Sequence, residues 1–147
     1  MSGTRGPARE GRPVESFAGF ITALGIAQII SWGSLFYAIG VVGSAMRRDL
    51  GVSELFLFGS FTAGLLVSGT LAPFSGRLID ARGGRFALSL GSSLAAASML
   101  TLALAAHPAT LVAGWLLAGA AMAFCLYDPA FATLGQHTGA RYRRAVT

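Results

Sequence analysis

The sequence predicts an all-α membrane protein with four spanning helices. Of its 147 residues, 54% are hydrophobic and only 12% are charged, which is about half the charged fraction of a soluble domain. Long uncharged runs separate the few charges, and each run has the length of about twenty residues that a helix needs to cross a bilayer. The runs lack the alternating polarity of membrane β-strands. These observations exclude a soluble enzyme and a disordered chain.

The apolar runs set the expected domain organisation. Residues 1–16 are polar and rich in Gly, Pro and Arg, which predicts a disordered cytoplasmic tail. The transmembrane region is expected at 17–136, and the first run is too long for the core of a signal peptide. Residues 137–147 are basic and are interpreted as a cytoplasmic segment leading to a fifth helix. The four spans are expected at 17–46, 55–76, 86–106 and 108–127, with an extension of the last to 136 allowed.

The arginines predict the orientation in the membrane. All eleven basic residues are arginine, and only Arg47 and Arg48 fall on the side opposite the amino terminus. Since arginine is enriched in cytoplasmic segments, both chain ends are expected in the cytoplasm and the protein in the plasma (inner) membrane. The arginines do not form a patch interleaved with aromatic residues, so no nucleic-acid partner is expected.

Small residues recur at four-residue spacing along the spans. In lipid there is no hydrophobic force between helices, so close backbone approach through small side chains favours their association. The spacing therefore predicts helix-packing faces. The pairs are Gly59 and Ala63, Gly64 and Ser68, Gly91 and Ala95, Gly114 and Ala118, and Gly119 and Ala123.

The connection between the second and third spans carries the most specific motif. It has a glycine, a leucine, an aspartate, a second glycine, a basic residue and a second leucine, at Gly76, Leu78, Asp80, Gly83, Arg85 and Leu88. This pattern resembles the signature loop of the major facilitator superfamily, which lies at the same place in the chain. Ala81 and Gly84 stand where that family commonly has arginine. The resemblance implies helices 1–4 of a six-helix half-bundle, in a secondary transporter of about twelve helices.

The resemblance also implies a role for this loop. Gly76, Asp80, Gly83 and Arg85 would form a conformational-switch loop that latches the two halves of the transporter in one state. The residues themselves are compatible with that role, because glycines permit a sharp reversal and an aspartate is favoured at the positive end of a helix. The alternative is a tight, positively charged hairpin that only fixes the topology.

Polar groups in the first span are candidates for solute binding. Gln28 and Trp32 lie about 40° apart on a helix, whereas Tyr37 falls opposite unless the helix bends at Gly33. An amide in lipid needs a partner, so Gln28 is expected to face the bundle, where it binds the solute or a neighbouring helix. Trp32 and Tyr37 are either solute contacts or ordinary packing residues. The segment around them resembles helix 1 of the oxalate and monocarboxylate-type porters, which implies an organic anion as solute.

Asp128 is the fourth candidate for the solute site. An ionisable residue at membrane depth indicates a proton carrier or a counter-ion. However, Asp128 followed by Pro129 is also a helix cap followed by proline at the first helical position. The sequence around Asp128 is compatible with both a functional acid and a helix cap.

The sequence therefore predicts part of a secondary active transporter that moves a small solute by alternating access. Its expected partners are the solute, the lipid bilayer and the remaining helices of the transporter. No enzyme activity, cofactor or metal site is expected, because HExxH, GxSxG, P-loop and paired-cysteine spacings are missing from the sequence. The alternative is a self-contained four-helix membrane subunit with a structural or interaction role and without transport activity.

Overall fold

The fold is a bundle in which consecutive membrane-spanning helices are antiparallel. A computed structural model describes residues 14–126, and this part of the chain contains helices and turns but no strand. Four helices in it are long and apolar enough to cross a membrane, so the protein is membrane-embedded and the predicted all-α class is confirmed. The first span consists of α1 (Val14–Trp32), a five-residue π-helical turn (Gly33–Tyr37) and α2 (Ala38–Leu50); the second, third and fourth spans are α3 (Glu54–Arg82), α4 (Gly84–Ala103) and α5 (Pro108–Cys125).

The helix ends follow local capping signals. Gly51 adopts the left-handed conformation, with φ of 62°, and ends α2. Ser53 then caps α3, because its hydroxyl accepts a hydrogen bond of 3.1 Å from the backbone N–H of Phe56. At the start of α5, Pro108 occupies the first turn, where its missing N–H leaves no hydrogen bond unmade.

The second and third spans are joined by a far tighter connection than the apolar runs indicate. The helix α3 continues beyond residue 76 to Arg82, and α4 begins at Gly84, so Gly83 is the single residue between them. Helical backbone hydrogen bonds do not depend on the side chains being apolar, so the helix extends past the last apolar stretch into the charged segment. The run of hydrophobic residues indicates the length of a span that lies within the membrane, whereas its helix can be longer.

The fourth span is the centre of the bundle. Half of the most apolar window of α5 is buried inside the protein, compared with 17% for the first span. Its interior residues include Leu111, Trp115 and Ala118, each at most 1% exposed. Both α3 and α4 pack extensively against α5, whereas the first span makes fewer contacts with it.

The closest helix contacts occur at glycines of the predicted packing faces. A Cβ atom at Gly119 would overlap the backbone carbonyl of Gly64, and one at Gly114 would overlap the side chain of Leu102. A Cβ atom at Gly91 would lie 2.8 Å from the Cβ of Cys125. Close helix packing is therefore found at the glycine of four of the five pairs, namely Gly64, Gly91, Gly114 and Gly119. Gly59 is the exception, because a Cβ atom there would meet no described atom within 4 Å.

The first span is anchored mainly through its π-helical turn and the start of α2. Leu35 is fully buried and Ile39 is 7% exposed, and both belong to the same apolar core as Trp115. On the other side of this helix, large apolar side chains such as Ile29 and Val41 are 75% and 80% exposed. The first span therefore lies at the edge of the described bundle.

Candidate solute site and the turn between the second and third spans

Gln28 connects the first span to the end of the fourth. Its Nε2 donates a hydrogen bond of 2.7 Å to the backbone carbonyl of Cys125. Because a carbonyl oxygen only accepts, this contact fixes which way the amide points. Its Oε1 atom is then buried without a hydrogen-bond partner among the described residues. Gln28 thus faces the bundle and makes one interhelical hydrogen bond through its amide nitrogen, while its amide oxygen makes none among the described residues.

Ser31 makes a second polar contact at the same place. The side chain of Ser31 lies close to the thiol of Cys125, one turn along the helix from Gln28. Gln28 and Ser31 thus both face the end of α5. Ser31 lies three residues after Gln28, about 60° away around a helix, so the two share a side, but the sequence gives no sign that both would face Cys125.

Aromatic rings form a continuous row from the first span to the fourth. The ring centroids of Trp32 and Phe36 are 5.2 Å apart, those of Phe36 and Phe61 5.6 Å, and those of Phe61 and Trp115 5.1 Å. Spacings of this kind are favourable for aromatic pairs. Trp115 is 1% exposed, and its Nε1 atom is buried without a hydrogen-bond partner among the described residues. The row places Trp32 within the packing of the bundle.

Tyr37 occupies a different position from the one expected for a regular α-helix. Its ring centroid lies 6.3 Å from that of Trp32 and 5.4 Å from that of Phe36. The wider π-helical turn produces this arrangement, because it adds about one residue per turn and so rotates Tyr37 towards the side of Trp32. The side chain of Tyr37 is 63% exposed. The structure thus brings Gln28, Trp32 and Tyr37 to neighbouring positions on one helix.

Two clefts separate the first span from the third. One, of about 360 Å³, lies beside α1 and is lined by Ser31, Ser34 and Ser92 among small apolar residues. The other has a similar volume, lies beside α2, and extends from Trp115 towards Asp49. Both are open to the outside of the described bundle. They show that the loose packing of the first span extends along its length.

Asp128, the fourth candidate of the solute site, lies outside the described residues, as do the two terminal segments 1–13 and 127–147. Among the described residues, no three His, Cys, Asp or Glu side chains come together in a way that could hold a metal ion.

The turn between the second and third spans requires glycine at one of its two predicted glycine positions. Gly83 has φ of 84°, and its N–H donates a hydrogen bond of 2.8 Å to the carbonyl of Ile79. Side chains are strained in that conformation, so glycine is needed there. Gly76 instead lies within α3, where a Cβ atom would meet nothing within 4 Å among the described atoms. The backbone conformation thus explains why residue 83 is glycine, but it gives no reason for glycine at position 76.

The charged residues of this turn point away from the described bundle. Asp80 and Arg85 are exposed, and neither forms an ion pair with another described residue. The neighbouring arginines contact aromatic rings instead: the guanidinium of Arg77 lies 4.9 Å from the ring centroid of Phe74. Arg82 lies 5.1 Å from that of Phe86. The turn is thus a compact reversal that leaves one acid and one base available for contacts outside the described residues.

Comparisons with protein-family models, with curated proteins and with solved structures find no match to this chain.

Proposed function

We propose that the chain is part of a secondary active transporter of the major facilitator type, which moves a small solute across the plasma membrane by alternating access. The observation that carries the proposal is the turn between the second and third spans. Its single connecting glycine, Gly83, lies between Asp80 and Arg85, which are exposed and form no ion pair within the described part of the chain. Exposed charges at the surface of a bundle are suited to bind an element that moves relative to it.

The first span provides independent support for the proposal. A carrier needs a helix that lines its pathway and can move, and the first span is the least buried of the four. It presents the buried, unused oxygen of Gln28 and the exposed ring of Tyr37. Polar groups within membrane spans commonly mark solute pathways. Gln28, Trp32 and Tyr37 are therefore the proposed solute contacts, with Asp128 as a further candidate.

The proposed orientation has the amino terminus and the α3–α4 turn in the cytoplasm. In the described part of the chain, Arg77, Arg82 and Arg85 lie at the end of the bundle that carries this turn, and Arg47 and Arg48 lie at the opposite end. Three arginines against two is a small excess, and the sequence before and after the described residues contains six more, which the predicted topology assigns to the cytoplasmic side. The excess supports this orientation because arginine is retained on the cytoplasmic side.

The decisive experiment measures solute uptake by the intact protein in proteoliposomes, with radiolabelled oxalate and lactate as probes of the organic-anion class. We expect saturable uptake of one of them, and a decrease of about tenfold in Asp80→Asn, the scale of a typical coupling between conformational states. Glu54→Gln is the matched control, because Glu54 is an exposed acid at the opposite end of the same helix.

Equal uptake by the wild type and by Asp80→Asn would contradict the role of the turn. Failure to take up either probe, together with co-purification of the protein in a stable complex with another membrane protein, would favour the alternative of a structural or interaction subunit. The coding sequence beyond codon 147 gives an independent check, since the proposal requires further hydrophobic segments there.

A further inference from the structure

A small cleft lies between the first and second spans, at the end of the bundle opposite the α3–α4 turn. Its volume is about 170 Å³, and the apolar side chains of Ile39, Leu57 and Phe58 line it together with Gly40 and Gly43. A Cβ atom at Gly43 would lie 3.0 Å from the side chain of Leu57, whereas one at Gly40 would meet nothing within 4 Å among the described atoms. The missing side chain of Gly40 therefore leaves the cleft open.

Two opposite charges line the same cleft. Arg47, in the last turn of α2, and Glu54, in the first turn of α3, are both exposed. Neither forms an ion pair with a residue in the described part of the chain, so the two charges do not neutralise each other by direct contact. Helix dipoles favour each charge at its own helix end. The dipoles do not explain why both charges face one cleft, because Arg48 lies in the same last turn and does not line it.

The position of the cleft indicates that lipid reaches it. The apolar helix Ile21–Leu50 ends shortly after Arg47, and Glu54 begins the next span, so both charges lie at the level of the lipid headgroups. On the same two helices, Val41 and Leu55 are 80% and 84% exposed. An occupant of the cleft that matches these surroundings has an apolar part and carries both a negative and a positive group.

We propose that this cleft binds the headgroup of a phospholipid with a primary ammonium group, the chemistry of phosphatidylethanolamine. The guanidinium of Arg47 donates hydrogen bonds to the phosphate oxygens, for which its planar fork is well suited. The ammonium group of the lipid donates to the carboxylate of Glu54, and the chains cover the apolar surface at Phe58. The inference depends on the embedding of the protein in a membrane and does not rest on the proposed transport.

Two features distinguish this lipid from related occupants. A choline headgroup carries the same phosphate, but its quaternary ammonium has no N–H group to donate to Glu54. Soluble phosphoethanolamine carries both charges, but it has no chain to cover Phe58, which is 44% exposed. The cleft should therefore prefer phosphatidylethanolamine to phosphatidylcholine, and either lipid to the soluble zwitterion.

Lipid titration followed by native mass spectrometry tests the proposal on the intact protein in detergent. The dissociation constant is measured for dioleoyl phosphatidylethanolamine and for dioleoyl phosphatidylcholine, which differ only in the methylation of the ammonium group. The variants are Arg47→Gln, Glu54→Gln and Gly40→Leu, the last of which fills the cleft and keeps both charges. Arg48→Gln and Asp49→Asn are the matched controls, because both residues are exposed at the same helix end and neither lines the cleft.

We expect the wild type to bind phosphatidylethanolamine about tenfold more tightly than phosphatidylcholine, the scale of one charge-assisted hydrogen bond. Glu54→Gln should remove most of this preference, because only the ammonium group distinguishes the two lipids. Arg47→Gln should weaken the binding of both lipids and leave their ratio unchanged, because both carry the phosphate. Gly40→Leu should weaken both by excluding them from the cleft, and the two controls should behave as the wild type does.

Equal affinities of the wild type for the two lipids would overturn the proposal, and so would an equal loss of the preference in Asp49→Asn and Glu54→Gln. Unchanged binding by Gly40→Leu would overturn it as well, because the lipid would then lie outside the cleft. Displacement of the lipid by an equimolar amount of soluble phosphoethanolamine would assign the site to a soluble zwitterion and refute the lipid.

The uptake assay is a separate measurement, made in phosphatidylcholine proteoliposomes. The primary ammonium group is missing there for the wild type and for Glu54→Gln alike, so Glu54→Gln still serves as the control for Asp80→Asn. Selective lipid binding without uptake of oxalate or lactate would retain the lipid site and refute the transport of those solutes.

Discussion

The first and fourth spans are equally apolar, yet the bundle buries them very differently. Their most hydrophobic windows have the same mean hydropathy of 1.6, but 17% of the first and 50% of the fourth is buried. Most of their glycines differ in the same way: Gly114 and Gly119 lie at helix contacts, whereas Gly33 and Gly40 meet no described neighbour within 4 Å of a Cβ position. In the first span Gly43 does lie at a contact, 3.0 Å from the side chain of Leu57. In lipid, close backbone approach determines which helix becomes central, and hydropathy does not.

The polar contacts with the fourth span also show that the first span is less firmly held than the third. Ser98 is fully buried and donates a hydrogen bond of 2.8 Å to the carbonyl of Gly114, which ties α4 to α5. At the contact of α1 with α5, the Nε2 of Gln28 donates a hydrogen bond, but its Oε1 is buried without a partner among the described residues. The polar group of the first contact is satisfied, whereas that of the second is satisfied only in part. The first span is therefore the one that can separate from α5 at a lower free-energy cost.

The largest expected difference between two matched substitutions is at the crossing of the second and fourth spans. Gly119→Ala places a Cβ atom against the backbone carbonyl of Gly64, so the two helices must move apart. We expect the free energy of unfolding to fall by about 3 kcal/mol, at the upper end of the range for overpacking. Denaturant unfolding in detergent micelles measures the change.

Gly69→Ala is the control for that substitution. Gly69 lies on α3, as Gly64 does, but a Cβ atom there meets no described atom within 4 Å. We expect no loss of stability and a gain of up to about 1 kcal/mol from helix propensity. Equal destabilisation by both substitutions would show that α3 and α5 do not cross at Gly64 and Gly119.

A smaller difference is expected between two buried leucines. Leu111 on α5 and Leu35 on the first span are both fully buried. Leu111→Ala leaves a cavity between tightly packed helices and should lower the free energy of unfolding by about 4 kcal/mol. Leu35→Ala should lower it by about 2 kcal/mol, the lower end of the range for this substitution, because a loosely held helix can shift and fill the space. The same unfolding measurement in micelles compares the two, and a larger effect at Leu35 would reverse the ranking of the two spans.

The fold was largely predictable from the sequence because its signals are local. Uncharged runs identified the four spans, and the small residues at Gly64, Gly91, Gly114 and Gly119 identified the faces that pack. The length of α3 was not predictable from hydropathy, since its last turn carries Asp80 and Arg82 and still forms a regular helix. Nor did the spacing of glycines reveal which helix would be central, because that depends on which glycines face each other across two helices.

The candidate site was less predictable because it depends on a departure from regular geometry. A helical wheel places Gln28 beside Trp32, which the structure also does, but it places Tyr37 on the opposite side. The π-helical turn changes that position, and nothing in the sequence Gly33–Tyr37 marks it beyond a glycine at its start. The acceptor for Gln28 is a backbone carbonyl, that of Cys125, and backbone acceptors carry no signature in a sequence.

The smallest expected effects are at the two hydrogen bonds to α5, one from Ser98 and one from Gln28. Ser98→Ala removes a satisfied, buried hydrogen bond, and we expect a loss of about 1 kcal/mol in the free energy of unfolding. Ser93→Ala is its control, because Ser93 is exposed and bonds only to the preceding turn of its own helix. Gln28→Leu removes one hydrogen bond, but it also removes a buried oxygen that has no partner, so the two contributions nearly cancel and the change should be within about 0.5 kcal/mol. If Gln28→Leu proved more destabilising than Ser98→Ala, the first span would be held as firmly as the third, and the helix best placed to move would have to be sought elsewhere in the bundle.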